Sequence, residues 1–123
     1  MSNQLTSAII GAAIEVHRQT GPGLLESIYE QCLITELKQR GLSLINQYPL
    51  PVVYKGHQLD IVYRLDLLVE NSVIVELKTV DNITGLHKSQ LMTYLKLAKR
   101  RYGLLLNFNV PIMRQGILRM LNG

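Results

Sequence analysis

Cysteine is almost absent: Cys32 is the single one among 123 residues. A lone thiol excludes an internal disulfide and any cysteine-rich zinc site. Its place on the apolar side of a helical segment makes it a packing residue rather than a nucleophile. Long apolar runs are missing as well. None reaches the roughly 18–20 residues needed to cross a bilayer, so no membrane span is expected. The start, Met-Ser-Asn-Gln-Leu-Thr-Ser, lacks the basic stretch and small-residue cleavage site of a signal peptide, and a cytoplasmic location follows as the expectation. Histidine is sparse: His17, His57 and His87 are too scattered for a sequence-local zinc motif. His17 and His87 fall near segments that could border a site, though surface or supporting positions suit them better. There are no repeats, no low-complexity tract and no linker.

What is present is ordinary globular composition, 47% apolar and 18% charged, enough for one domain over residues 1–123 with a sizeable core. The net charge of +4 is unevenly placed. Residues 1–62 carry four basic side chains against five acidic ones, whereas residues 63–123 carry nine against four. Lys96, Lys99, Arg100 and Arg101 form a group that suits a polyanionic partner such as nucleic acid, although a helix end also favours cations.

The hydrophobic period divides the chain. A helix is expected from about Leu5 to Gln19, capped by Thr6 or Ser7. Thr20-Gly-Pro-Gly23 stops it. A second helix runs from about Leu24 to Arg40, with Gly41 at its end. The period then changes to that of strands. Tyr48–Tyr54 is interrupted by Pro49 and Pro51, which places it at a sheet edge or gives it an irregular start. Gln58–Val69 and Val73–Thr79 follow as strands, separated by Glu70-Asn71-Ser72. A helix over about Leu86–Arg101, a buried strand at Leu104–Phe108, and a final strand or helical turn near Arg114–Leu121 complete an α/β layer architecture.

Charges inside two of these strands are the main anomaly. Strand interiors disfavour Asp, Glu and Lys, and buried charges are rare unless paired or bound to a metal. Alternation puts Tyr63, Leu65, Leu67 and Val69 on one face of the first strand, and Val73, Val75 and Leu77 on one face of the second. Burying both apolar faces together pairs Val69 with Val73, Leu67 with Val75 and Asp66 with Glu76. A three-residue loop with Asn71 in a left-handed conformation achieves this. The two carboxylates then lie side by side, with Lys78 next along. Two adjacent like charges are unfavourable in a sheet but useful for holding a divalent cation. The competing arrangement is a salt-bridge cluster, with Lys78 neutralising one carboxylate and Arg64 the other.

Asp66 followed by Glu76-Leu-Lys78 resembles the core of the PD-(D/E)xK nuclease superfamily. Gln90-Leu-Met-Thr-Tyr94 is similar to the Gln-xxx-Tyr element of its RecB-like branch. Gly23-Leu-Leu-Glu26-Ser-Ile-Tyr29 matches the GxxExxY signature of a small family within it. The resemblance implies a restriction-endonuclease-like fold, α-β-β-β-α-β, with a mixed sheet flanked by helices and an extra N-terminal helix. It implies Asp66, Glu76, Glu26 and the Leu77 carbonyl as ligands of Mg²⁺ or Mn²⁺. Lys78 would orient or deprotonate the attacking water, and Gln90 and Tyr94, at i and i+4 on one helix face, would position substrate or Lys78. The implied substrate is nucleic acid, DNA foremost. Tyr29 reads better as a core aromatic than as a reactive group. Thr20-Gly-Pro-Gly23 lacks the continuation of a phosphate loop and serves to aim the helix that carries Glu26. Two other functions fit the same residues: a non-catalytic module binding nucleic acid or protein, and a hydrolase of some other phosphoester. A homodimer is compatible with the small size and apolar C-terminal stretch.

Overall fold

The computed structural model describes residues 2–123, with side chains from residue 4 onward. Two helices come first, α1 (Ser2–Thr20) and α2 (Glu26–Gln39). Strands β1 (Leu44–Tyr54), β2 (His57–Val69) and β3 (Val73–Lys78) follow, then α3 (Gly85–Ala98) and β4 (Tyr102–Asn107). A 3-10 turn at Met113–Gly116 leads into β5 (Ile117–Leu121). The five strands form one sheet in chain order, antiparallel except for the parallel β3–β4 pair. β3 and β4 are buried nearly throughout, as parallel strands joined by a crossover helix must be.

Two apolar clusters sandwich the sheet. On one side α1 and α2 cover Leu67, Val69, Val73, Val75, Leu77, Leu104 and Leu106. On the other, Leu91, Tyr94 and Leu95 of α3 cover Leu50, Leu65, Leu68, Ile74 and Leu105. Removing each buried Leu, Ile or Val from water contributes about 1.5–3 kcal/mol, so this three-layer arrangement fixes the strand register. β1 is an edge strand, as Pro49 and Pro51 require, with a register shift between Pro51 and Val53.

Several expected boundaries move. α1 starts at Ser2, so Thr6 and Ser7 lie inside it rather than capping it, and Thr6 is buried. β1 starts four residues earlier than its apolar pattern suggests, at Leu44. α2 ends in a Schellman motif: Gly41 N–H donates to the Lys38 carbonyl and Leu42 N–H to that of Leu37, with Gly41 at φ +80°. α3 stops at Ala98 because Lys99 takes the left-handed conformation. Its other end carries a reciprocal cap between Thr84 and His87, so His87 is a helix cap. His17 is buried beside Phe108 and bonds the Val110 carbonyl at 2.8 Å, tying α1 to the segment after β4. Cys32 is half-buried against the α1/α2 cluster.

Gly116 packs directly on the end of β4. A Cβ built there would lie 1.9 Å from the Asn107 carbonyl oxygen, a backbone atom. Gly116→Ala is therefore expected to destabilise the protein by about 1–3 kcal/mol or more, read as a lowered midpoint in a urea titration with unchanged m-value.

Candidate active site

The β2–β3 ladder has the register that core burial demands: Val69 opposite Val73, Leu68 opposite Ile74 and Leu67 opposite Val75. The three-residue loop is present, with Glu70 and Asn71 both at φ 52°. Backbone pairing ends at Leu67/Val75. One step further along, the strands part and the carboxylates take over. The Asp66 N–H donates to Glu76 Oε2 at 2.8 Å, and the Leu77 N–H donates to Asp66 Oδ2 at 2.8 Å. Each acid satisfies the backbone of the opposite strand.

The faces of β2 differ from simple alternation. Tyr63 and Leu65 lie with α3, while Leu67 and Val69 lie with α1 and α2. The pleat inverts at Asp66, and β1 inverts opposite it. Asn46 pairs with Leu67 and Tyr48 with Leu65, while the intervening Gln47 sits at φ 52°. A left-handed residue reverses the strand's facing, which the apolar pattern does not record. Asp66 stands at the inversion, where it meets both strands and the α2 side.

α2 supplies two further acids. The turn before it is pinned by Tyr29, whose hydroxyl donates to the Gly21 carbonyl and accepts from the Leu24 N–H at 3.2 Å. The Tyr29 ring is fully buried and stacks on Phe108 with centroids 4.5 Å apart. Gly23, at φ +104°, permits the turn. Glycine, glutamate and tyrosine thus act as one unit: the tyrosine anchors the turn, and Glu26 becomes the first residue of α2. There the helix dipole favours an anion. One turn on, Glu30 is buried at 8% exposure, and both its oxygens accept from Gln47 Nε2 at 3.2 and 3.1 Å.

On the other side, Tyr94 is buried and its ring meets Tyr63 at 5.0 Å. Gln90, one turn earlier on the same face, is exposed and makes no side-chain hydrogen bond among the described residues. Lys78 is half-buried at the end of β3, opposite Asn107 of β4. The Asn107 amide clips the exit of β3, accepting from the Val80 N–H at 3.1 Å and donating to its carbonyl at 2.9 Å. Leu77 has a fully buried side chain, so only its backbone could act in the site. Among the described residues the ion pairs are Arg18–Glu15 and Arg40–Glu36. Lys78 and Arg64 do not neutralise Asp66 and Glu76 in salt bridges.

The comparisons with known proteins bear on this arrangement. The family described as the PD-(D/E)XK nuclease superfamily matches residues 3–120. The chain belongs to the PD-(D/E)XK nuclease superfamily. Among solved structures it is similar to "Crystal structure of SSO0001", with 22% identity and a TM-score of 0.57. The alignment covers 79% of this chain and 50% of that one, so the chain spans half the length of that protein. At that identity the likeness concerns the fold. No curated protein matches the chain.

In this PD-(D/E)XK domain the electrostatics are those of excess negative charge. Glu76 is pushed up to about 8, first by burial and then by Asp66. Asp66 is raised chiefly by burial, against the opposing pull of the Leu77 N–H and Lys78. Partial burial, then Asp66, raises the exposed Glu26. Burial also raises Glu30, against the hydrogen bond from Gln47. Tyr94 is pushed up to about 12 by burial and by Glu76. Three carboxylates, Glu26, Asp66 and Glu76, thus share the field of one lysine, and Glu30 adjoins them through Asp66. A divalent cation suits this donor set, since Mg²⁺ is held by hard oxygens, one or two carboxylates and water. Asp66 Oδ1 and Glu76 Oε1 are not used by the two cross-strand bonds. Among the described residues no three His, Cys, Asp or Glu side chains converge to enclose an ion by themselves, so water and backbone carbonyl would have to complete the shell.

Sequence reasoning missed Glu30, Gln47 and Asn107. Glu30 carried a signal: it lies at i+4 from Glu26, and two like charges on one helix face are unfavourable. The groove of about 310 Å³ between α1 and α2, lined by Val16, Gln31 and Cys32 among others, contains none of the four raised carboxylates and is not this site.

The raised Glu76 has a consequence for stability. Its folded pKa exceeds its unfolded value, so between about pH 4.5 and 8 the folded state holds a proton that the unfolded state has lost. Stability therefore falls as pH rises through that window. In metal-free buffer, Glu76→Gln is expected to raise the melting temperature at pH 8 and to change it little at pH 5. Differential scanning calorimetry at the two pH values checks this.

Proposed function

We propose that this protein is a divalent-metal-dependent nuclease that hydrolyses phosphodiester bonds of nucleic acid, DNA foremost, with residues 1–123 working as one domain. One observation carries the reading: where the β2–β3 ladder opens, Asp66 and Glu76 exchange bonds with opposite backbones, and Lys78 stands one step beyond. A pure binding surface gains nothing from gathering carboxylates where a phosphate must approach. Within the superfamily, Gly23…Glu26…Tyr29 and Gln90…Tyr94 favour the GxxExxY family and the RecB-like branch.

Asp66 and Glu76 would hold Mg²⁺ or Mn²⁺, with Glu26 and the Leu77 carbonyl as further oxygens. Such an ion supplies a polarised phosphoryl oxygen and a water of lowered pKa. Lys78 brings a cation to the oxygens where charge builds on the phosphate, and its amine can orient the attacking water. Tyr94 walls the site on the α3 side with its hydroxyl kept protonated. Gln90, exposed at the rim, is placed to meet the substrate backbone.

Single- and double-stranded DNA and RNA should be incubated with the protein in Mg²⁺ and in Mn²⁺. Cleavage is expected with the wild type, and Asp66→Ala or Lys78→Ala should lower it by at least about a hundredfold, a loss of about 2.7 kcal/mol in transition-state stabilisation. Activity that survives both substitutions would refute the reading. Absence of divalent binding by calorimetry would favour the non-catalytic module.

A further inference from the structure

The acids and bases of the chain are segregated. All nine Asp and Glu residues lie at or before Asp81, while residues 82–123 contain seven Lys and Arg and no acid. This cationic third comprises α3, β4, the 3-10 turn and β5. It ends at a concavity of about 380 Å³ lined by Lys96, Lys99, Arg100, Arg101 and Asn122. Helix ends often bear one cation for the dipole's sake, but four on one concave surface exceed that need.

The floor of this pocket is built. Asn122 donates through its N–H to the Arg101 carbonyl at 2.8 Å and through Nδ2 to the Arg100 carbonyl at 3.1 Å. Arg100 is committed to structure: it bonds the carbonyl and Oδ1 of Asn71 and the carbonyl of Ala98. The Arg101 guanidinium lies over the Tyr102 ring at 5.6 Å. Lys99 occupies a left-handed C-cap at φ 55°, where glycine is usual. A lysine there sacrifices backbone comfort to put an amine on this rim. None of these cations joins an ion pair among the described residues.

The pocket lies further along the sheet from the carboxylates, at the start of β4. Glu76 pairs with Leu105, and Val73 pairs with Tyr102 beside the pocket. Those three steps span about 10 Å at 3.3 Å each. We infer that this pocket is a second contact for the phosphodiester backbone of the nucleic acid, gripping it about three base pairs from the position where it would be cut, at about 3.4 Å per pair along a strand. The inference rests on the nucleic-acid reading above, but binding tests it separately from cleavage.

The measurement is duplex binding by fluorescence anisotropy, in EDTA and in an Asp66→Ala background, over a range of salt. Replacing Lys96, Lys99 and Arg101 together by Gln should weaken a 20-base-pair duplex by at least about tenfold at low salt. The slope of log K against log salt should become shallower by about 2–3, as expected when about three cations cease to displace counterions. Lys99→Gly guards against misfolding: it removes the amine and relieves the left-handed Cβ. It should weaken binding about two- to fivefold without lowering the melting temperature. Unchanged affinity and slope in the triple variant would overturn the inference. So would loss of binding to phosphatidylserine vesicles with duplex binding retained, which would assign the pocket to a lipid surface. In the active protein the triple variant should raise KM and leave kcat unaltered. If no nucleic acid is cleaved but binding behaves as stated, the nuclease reading fails and the pocket stands.

Discussion

Two backbone-to-carboxylate hydrogen bonds hold the centre of this molecule. Where β2 leaves β3, the N–H groups of Asp66 and Leu77 lose the strand partners that a continued ladder would give. A buried amide without a partner costs about 1–3 kcal/mol, so a splayed sheet would normally close or admit water. Here Glu76 accepts from one amide and Asp66 from the other. The cleft and the acids are therefore interdependent. Without the carboxylates the open strands would carry orphaned donors, and without the splay the carboxylates would have no room for a ligand. These bonds offset only part of the charge, since burial still raises both acids.

The rest of the fold holds the walls of that cleft. Tyr29 pins the turn that places Glu26, and its ring rests on Phe108, the residue following β4. A stacked pair of this kind contributes about 0.5–1.5 kcal/mol beyond its buried area. It also links the start of α2 to the same strand end that Asn107 joins to Val80. Gln47 is the remaining link. Its left-handed backbone inverts the pleat, and its amide occupies Glu30 beside Asp66. A buried acid with a neutral amide as its partner stays available to respond to charge nearby, which a salt-bridged one would not.

The sequence disclosed the parts governed by period and burial. The pairing of Val69 with Val73, the three-residue loop and the meeting of Asp66 with Glu76 all follow from hiding apolar faces, because a one-residue slip would expose every one of them. The inversion at Asp66 did not follow. It depends on a left-handed Gln47, and glutamine has no preference that announces that conformation. Asn107 was equally silent: it reads as one more residue at the end of an apolar strand, and its partner Val80 is 27 positions away. Helix ends strayed where tertiary contacts outweighed caps, as at Thr6, buried inside α1 instead of starting it. Glu30 is the instructive case, since its spacing from Glu26 was visible. It went unused because charge at i and i+4 is usually solvated, and only burial changes its meaning.

The segregation of charge along the chain follows from the same constraint. Four carboxylates with raised pKa values repel any polyanion that approaches without a cation already in place. Cations set among them would attract the polyanion, but they would also form the salt bridges that occupy the ligand oxygens. The arrangement that serves both needs keeps one lysine beside the acids and sets the basic cluster further along the sheet. The Debye length is about 8 Å at physiological ionic strength. The basic pocket lies about 10 Å along the strands from Glu76, a little more than one such length. At that separation salt weakens its field on the carboxylates, while a chain of phosphates is long enough to touch both. The parallel β3–β4 pair, buried on both faces, is the rigid spacer that keeps the two ends apart.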